Sequence, residues 1–163
     1  EGATRAGIGS ANPRPAVEEQ TGRGEVVLVI DDEDIVRHAV SRYLSWCGYT
    51  VLKASDGDAA LEICARREGA IDLALLDMIM PGTGGMELFH ALREARPGMA
   101  IVVMSGYDRG AYQRALSEAG AAAFLQKPVP MDVLGAAVRA AMDGRSAEET
   151  AGAAGAAGGK AAE

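Results

Sequence analysis

The sequence predicts an α/β fold, an open, doubly wound sheet of five parallel strands with helices on both faces. Five apolar runs of strand length recur along the chain, and segments of helical period lie between and after them. Four of the runs are nearly continuous in apolar residues, the mark of strands covered on both faces. Strand alternating with helix five times is the pattern of a parallel sheet joined by right-handed crossovers.

The elements follow in chain order. "VVLVI" (26–30) is the first strand. After it Val36, Val40, Tyr43, Leu44 and Cys47 recur at three- and four-residue steps, giving a helix one apolar face. "YTVLKA" (49–54) alternates more than the others and reads as an edge strand. In "SDGDAALE", Ser55 or Asp56 offers an N-cap for the next helix. "IDLALL" (71–76), "AIVVM" (100–104) and "AAAFLQ" (121–126) are the remaining strands. Pro130 and Asp132 open a last helix whose apolar face is Leu134, Ala137, Val138, Ala141 and Met142.

The flanks differ in kind. Residues 1–24 carry Gly, Pro and charge without apolar periodicity, as a flexible linker does, and 143–163 form an Ala/Gly-rich tail in which repeated glycines oppose helix. The expected division is therefore a linker over 1–24, one domain over 25–142 and a disordered tail over 143–163. The core should consist of aliphatic residues, since the chain is 48% hydrophobic but 4% aromatic.

Composition narrows the function. A net charge of -7 without a basic patch argues against direct nucleic-acid binding. No apolar run approaches the ~20 residues of a membrane span, so this segment is expected to make no membrane contact and to be cytoplasmic. Cys47 and Cys64 are too few for a disulfide framework and read as buried thiols.

In open parallel sheets the functional site lies outside the carboxyl ends of the strands. The residues that follow the apolar runs there are Asp31 and Asp32, Asp77, Ser105, and Lys127 with Pro128. Taken singly each has a plainer reading. "DDED" also suits the first turn of a helix, Asp77 and Ser105 suit turns, and Lys-Pro suits a strand end. Their joint placement argues otherwise. Like charges about 4 Å apart repel by about 4 kcal/mol at an effective dielectric of 20, so three converging carboxylates call for a cation. Oxygen donors without His or Cys select a hard ion, and a site of few carboxylates suits Mg²⁺. An aspartate beside such an ion can attack phosphorus to give an acyl phosphate, with Lys127 and Ser105 placed to stabilise the transferred group.

"VLVIDDED", "LALLDMIMPGTGGMEL", "VVMSGY" and "FLQKPV" together resemble the receiver domain of bacterial two-component response regulators, from about Glu25 to Met142. The resemblance implies a flavodoxin-like (βα)5 fold with strand order 2-1-3-4-5. It implies that Asp77 accepts phosphate from the phosphohistidine of a histidine kinase or a histidine phosphotransfer domain, within two-component signal transduction. Asp32 and Asp77 would ligate Mg²⁺ directly, Asp31 largely through water, and the Ile79 backbone carbonyl would complete the protein ligands. No other cofactor is implied. Ser105 and Phe124 take the switch positions, Lys127 pairs with the phosphoryl oxygens, and Lys127-Pro128 is expected to be cis. Phosphorylation would bias the face made by the fourth helix, fifth strand and fifth helix, through which a homodimer is a further expectation. Ile79 and Tyr107 flank the phosphoryl group as modulators, and an apolar group and a ring there favour a long-lived acyl phosphate. Gly84 and Val129 depart from the family's common aspartate and aromatic.

The parent favoured by the linker-like start and by the motifs is a hybrid sensor histidine kinase with this receiver at its carboxyl end. The alternative is a stand-alone single-domain regulator acting by protein contact, and a degenerate docking receiver is disfavoured because Asp77 and Lys127 are both present. A haloacid-dehalogenase-like phosphatase needs a second aspartate where Ile79 stands, and a nucleotide or flavin binder would need a phosphate loop where "DDED" stands. His38 and His90 fall in helices away from the strand ends and are read as surface residues.

Overall fold

The computed structural model describes residues 22–82, 84–106 and 111–155, with no side-chain description for Ala111 or 145–155. It contains β1 (Val26–Ile30), α1 (Asp34–Trp46), β2 (Thr50–Ala54), α2 (Gly57–Arg66), β3 (Leu73–Asp77), α3 (Gly85–Ala95), β4 (Ala100–Ser105), α4 (Ala111–Glu118), β5 (Ala123–Gln126) and α5 (Met131–Gly155). All four strand pairings are parallel, in the order β2-β1-β3-β4-β5. The doubly wound, flavodoxin-like sheet expected from the alternation is therefore present, and "YTVLKA" does supply an edge.

Side chains of each central strand point alternately to the two faces and so build two cores. Leu28, Ile30, Ala74, Leu76, Ile101 and Val103 meet Ala60 and Cys64 of α2, Leu88, Phe89 and Leu92 of α3, and Leu116 of α4. Val27, Val29, Leu73, Leu75, Val102 and Met104 meet Val40 and Leu44 of α1 and Leu134, Val138 and Met142 of α5. Cys47 and Cys64 are free, buried thiols, raised in pKa chiefly by desolvation. Asp56 caps α2 by accepting the Ala59 N–H at 2.7 Å. His38 and His90 are both exposed.

Three expectations shift, the first being β5, which begins at Ala123 rather than at 121. β3 begins at Leu73 rather than at 71, and the Asp72 carboxylate before it accepts the Val26 N–H at 2.8 Å. The last helix does not end at Met142 but continues to Gly155, so the disordered tail expected from 143 onward is corrected over 143–155. A helix already nucleated on the core propagates cheaply, and the Ala, Glu and Arg residues of that stretch offset the glycines. Residues 156–163 lie outside those described.

Candidate functional site

β1 and β3 are neighbours, paired with Ile30 opposite Leu76, so the residues that follow them emerge side by side at the carboxyl edge. Asp31 is completely buried, Asp77 is buried and Asp32 is exposed. Each of the three can bring one carboxylate oxygen within 4.8 Å of the others.

Lys127, on the turn after β5, reaches into this cluster. Its Nζ lies 3.0 Å from Asp31 Oδ2 and 3.1 Å from Asp77 Oδ2. Burial, which opposes its charge, is the largest single influence on this ammonium. The bonds and charges of Asp31 and Asp77 outweigh it together, so Lys127 titrates above its ordinary value. Burial likewise pushes the Asp77 carboxyl up, partly offset by the Ile79 N–H and by Lys127. Asp77 Oδ1 accepts that Ile79 N–H at 3.1 Å, and the Met78 N–H donates to the Met104 carbonyl at 2.9 Å. The loop after β3 is thus tied both to its own aspartate and to β4.

Ser105 ends β4, is buried, and accepts the Lys127 N–H on its carbonyl at 2.9 Å. Lys127-Pro128 is cis. Phe124 sits on edge strand β5, half-buried against the core on the α2–α3–α4 side. The Ile79 side chain is 46% exposed at the rim. Tyr107 lies outside the described residues. Of the predicted site residues, Asp31, Asp32, Asp77, Ser105, Lys127 and Ile79 gather at one end of the sheet, with Phe124 three residues before the lysine.

The donor set fits Mg²⁺. Ligands about 2.1 Å from one ion stand at most about 4.2 Å apart, close to the spread of these oxygens. Three carboxylates against one ammonium leave an excess of negative charge that a divalent ion would neutralise.

Residues 27–139 match the response regulator receiver domain. This chain belongs to that family. It is 36% identical over 113 residues to the sensor kinase CckA of Brucella abortus, covering 69% of this chain and 12% of the kinase. It is 37% identical over 114 residues to the response regulator MprA of Mycobacterium leprae, covering 70% of this chain and 49% of MprA. A crystal structure of a response regulator receiver domain protein from Clostridium thermocellum superposes with a TM-score of 0.71 at 28% identity, covering 76% of this chain and 98% of that one. The chain thus spans at most about half the length of these curated relatives. As a receiver domain, it is a module of two-component signalling.

Two further residues shape the site without having been singled out in the sequence. A Cβ on Gly85 would stand 2.5 Å from the Met78 carbonyl oxygen, so only glycine lets α3 start this close to the loop after Asp77. Arg37 donates from Nη1 to the Asp31 carbonyl at 2.8 Å. An arginine six residues after an aspartate gives no signal in sequence; the turn between strand and helix brings it back.

Proposed function

We propose that Asp77 is the phosphoacceptor of this receiver, taking a phosphoryl group from a phosphohistidine in a Mg²⁺-dependent reaction. The observation that carries the reading is the Lys127 ammonium held between Asp31 and Asp77 with Asp32 alongside. An Asp77 carboxylate oxygen attacks phosphorus, the P–N bond to the imidazole breaks, and the imidazole nitrogen recovers the electron pair. Held directly by Asp32 and Asp77, largely through water by Asp31, and by the Ile79 carbonyl, Mg²⁺ would supply charge neutralisation for the phosphoryl oxygens. Lys127 exchanges one carboxylate partner for a phosphoryl oxygen, a charge-assisted bond. Ser105 and Phe124 then carry the change toward the α4–β5–α5 face, which is also the surface for a homodimer. The exposed Ile79 side chain, together with Tyr107, would slow the approach of water and lengthen the life of the acyl phosphate.

The donor is a histidine kinase or a histidine phosphotransfer domain. To bring an imidazole to Asp77, such a partner must rest on what surrounds the mouth. A groove of about 440 Å³ opens there beside Lys127, lined by Ile35, Ala39, Val129 and Met131 among others. Similarity to CckA supports placement in a hybrid kinase, and similarity to MprA supports the alternative, a separate regulator. The reading frame of the gene decides between them. The domain itself is proposed to occupy 25–142, preceded by a linker.

The test is incubation with Mg²⁺ and acetyl phosphate followed by intact mass measurement. The wild type should gain one phosphoryl group, and Asp77→Asn should gain none. Equal labelling of the variant would overturn the assignment.

A further inference from the structure

We infer that Arg37 is a positioning residue for the acidic pocket, setting the direction of the Asp32 carboxylate through the main chain of Asp31. The inference rests on the phosphoacceptor reading above and names the device that shapes its cation site. Asp31 is held from four sides. Its N–H donates to the Ala54 carbonyl at 3.2 Å, its Oδ1 accepts the Glu33 N–H at 2.9 Å, its Oδ2 accepts Lys127 at 3.0 Å, and its carbonyl accepts Arg37 Nη1 at 2.8 Å. Asp32 sits between Asp31 and Glu33, so these bonds bracket it.

Arg37 makes the one link in this set that comes from the body of α1. Its side chain is 11% exposed, unlike an ordinary surface arginine. The guanidinium is a planar fork: Nη1 holds the end of β1, and Nη2 pairs with the Asp34 carboxylate in the first turn of the helix. The Arg37 backbone is fixed in turn, with its N–H on the Glu33 carbonyl at 2.9 Å and its own carbonyl accepting Ser41 Oγ at 2.6 Å. Strand end, turn and helix start are therefore clamped as one unit, and Asp32 is carried on it.

A positioning role and a bare charge effect have opposite signs. A cation near three carboxylates repels Mg²⁺, so deleting it as a charge alone would tighten binding. Deleting it as a clamp frees Asp32 and weakens binding, by about tenfold where groups behind metal ligands have this role.

The experiment is calorimetric Mg²⁺ titration of the full chain as wild type, Arg37→Met and Arg37→Lys. Amide hydrogen exchange of Glu33 in chelator is the second readout. Weaker Mg²⁺ binding and faster Glu33 exchange are expected in R37M. R37K keeps the charge but cannot span both partners, so it should fall between R37M and wild type, and it stands in for R37M should that variant not fold. Mg²⁺ binding equal to or tighter than wild type in the folded variants overturns the inference and leaves the phosphoacceptor reading intact. Absence of Mg²⁺ binding by the wild type overturns both.

Discussion

Lys127 Nζ stands 3.1 Å from Asp77 Oδ2, although Asp77 ends β3 and Lys127 follows β5, with β4 between those strands. The same ammonium holds Asp31, whose side chain has no solvent exposure. Replacing Lys127 by Met therefore takes the ammonium away from two buried carboxylates and leaves them only their main-chain N–H donors among the bonds described. In chelator, K127M should lose about 3 kcal/mol, the usual cost of removing one member of a buried charge pair. Added Mg²⁺ should recover part of that loss. Urea unfolding with and without Mg²⁺ reads both, and a variant as stable as wild type in chelator would show that the carboxylates do not depend on this cation.

Gly84 and Gly85 are adjacent but should respond in opposite ways. Gly85→Ala drives a methyl group against the Met78 carbonyl and side chain, at 2.5 and 2.8 Å, and should cost about 1–3 kcal/mol. Gly84 is the N-cap of α3, has no side-chain cap and has open space around its Cβ direction. Gly84→Asp should supply the missing cap and gain a few tenths of a kcal/mol, roughly the known difference between glycine and aspartate there. Thermal unfolding of both variants checks the pair; a harmless G85A would contradict the close approach.

The residues legible in the sequence are those whose role depends on local pattern. β1 lies where its five apolar residues put it, and Asp31, Asp77, Ser105 and Lys127 could be read as strand-end residues before any tertiary contact was known. Gly85 and Arg37 could not. Their importance comes from what another segment places against them, a carbonyl from the loop after β3 or one from the end of β1, and neither contact leaves a period or a motif. The reach of α5 to Gly155 was missed for a related reason. Alanines among glycines favour neither state alone, and it is the helix already docked through Leu134 and Val138 that carries them along.

Arg96 is a second arginine whose work is hidden in this way. It follows α3, yet its Nε and Nη2 donate to the Cys64 carbonyl at 3.1 and 2.9 Å, Nη2 also to Arg67 at 2.8 Å, and Nη1 to Gly69 at 2.8 Å. These carbonyls end α2 and begin the loop toward β3, and that of Cys64 lies in the last turn, where acceptors have no intrahelical donor. Arg96→Ala should destabilise by about 2 kcal/mol, within the range for bonds from a charged donor. Arg66→Ala removes only an exposed pair with Glu62 and should change stability by under about 0.5 kcal/mol. Similar losses in the two variants, measured by denaturant unfolding, would sink the distinction.

Glu25 gives the fold an acid-sensitive contact far from the aspartate cluster. Its Oε1 accepts Arg139 Nη1 of α5 at 3.0 Å and its Oε2 accepts the Arg23 N–H at 2.5 Å, while Tyr49 and Asp143 also face Arg139. Burial alone would raise this carboxyl, but the Arg23 and Glu25 N–H groups and the Arg139 guanidinium together outweigh it and hold the pKa below the ordinary glutamate value. A carboxyl depressed in the folded state binds its proton less readily there than in the unfolded chain. Its stabilisation is therefore complete above the ordinary glutamate pKa and is lost as pH falls through the folded value. Glu25→Gln should cost about 1 kcal/mol near neutral pH, as a partly shielded pair does. The gap between wild type and E25Q should close as the pH is lowered below the ordinary glutamate range. Unfolding free energies of the two proteins from neutral pH into acid test this, and a gap that stays constant with pH would show that the Glu25 charge does not hold α5 to the start of β1.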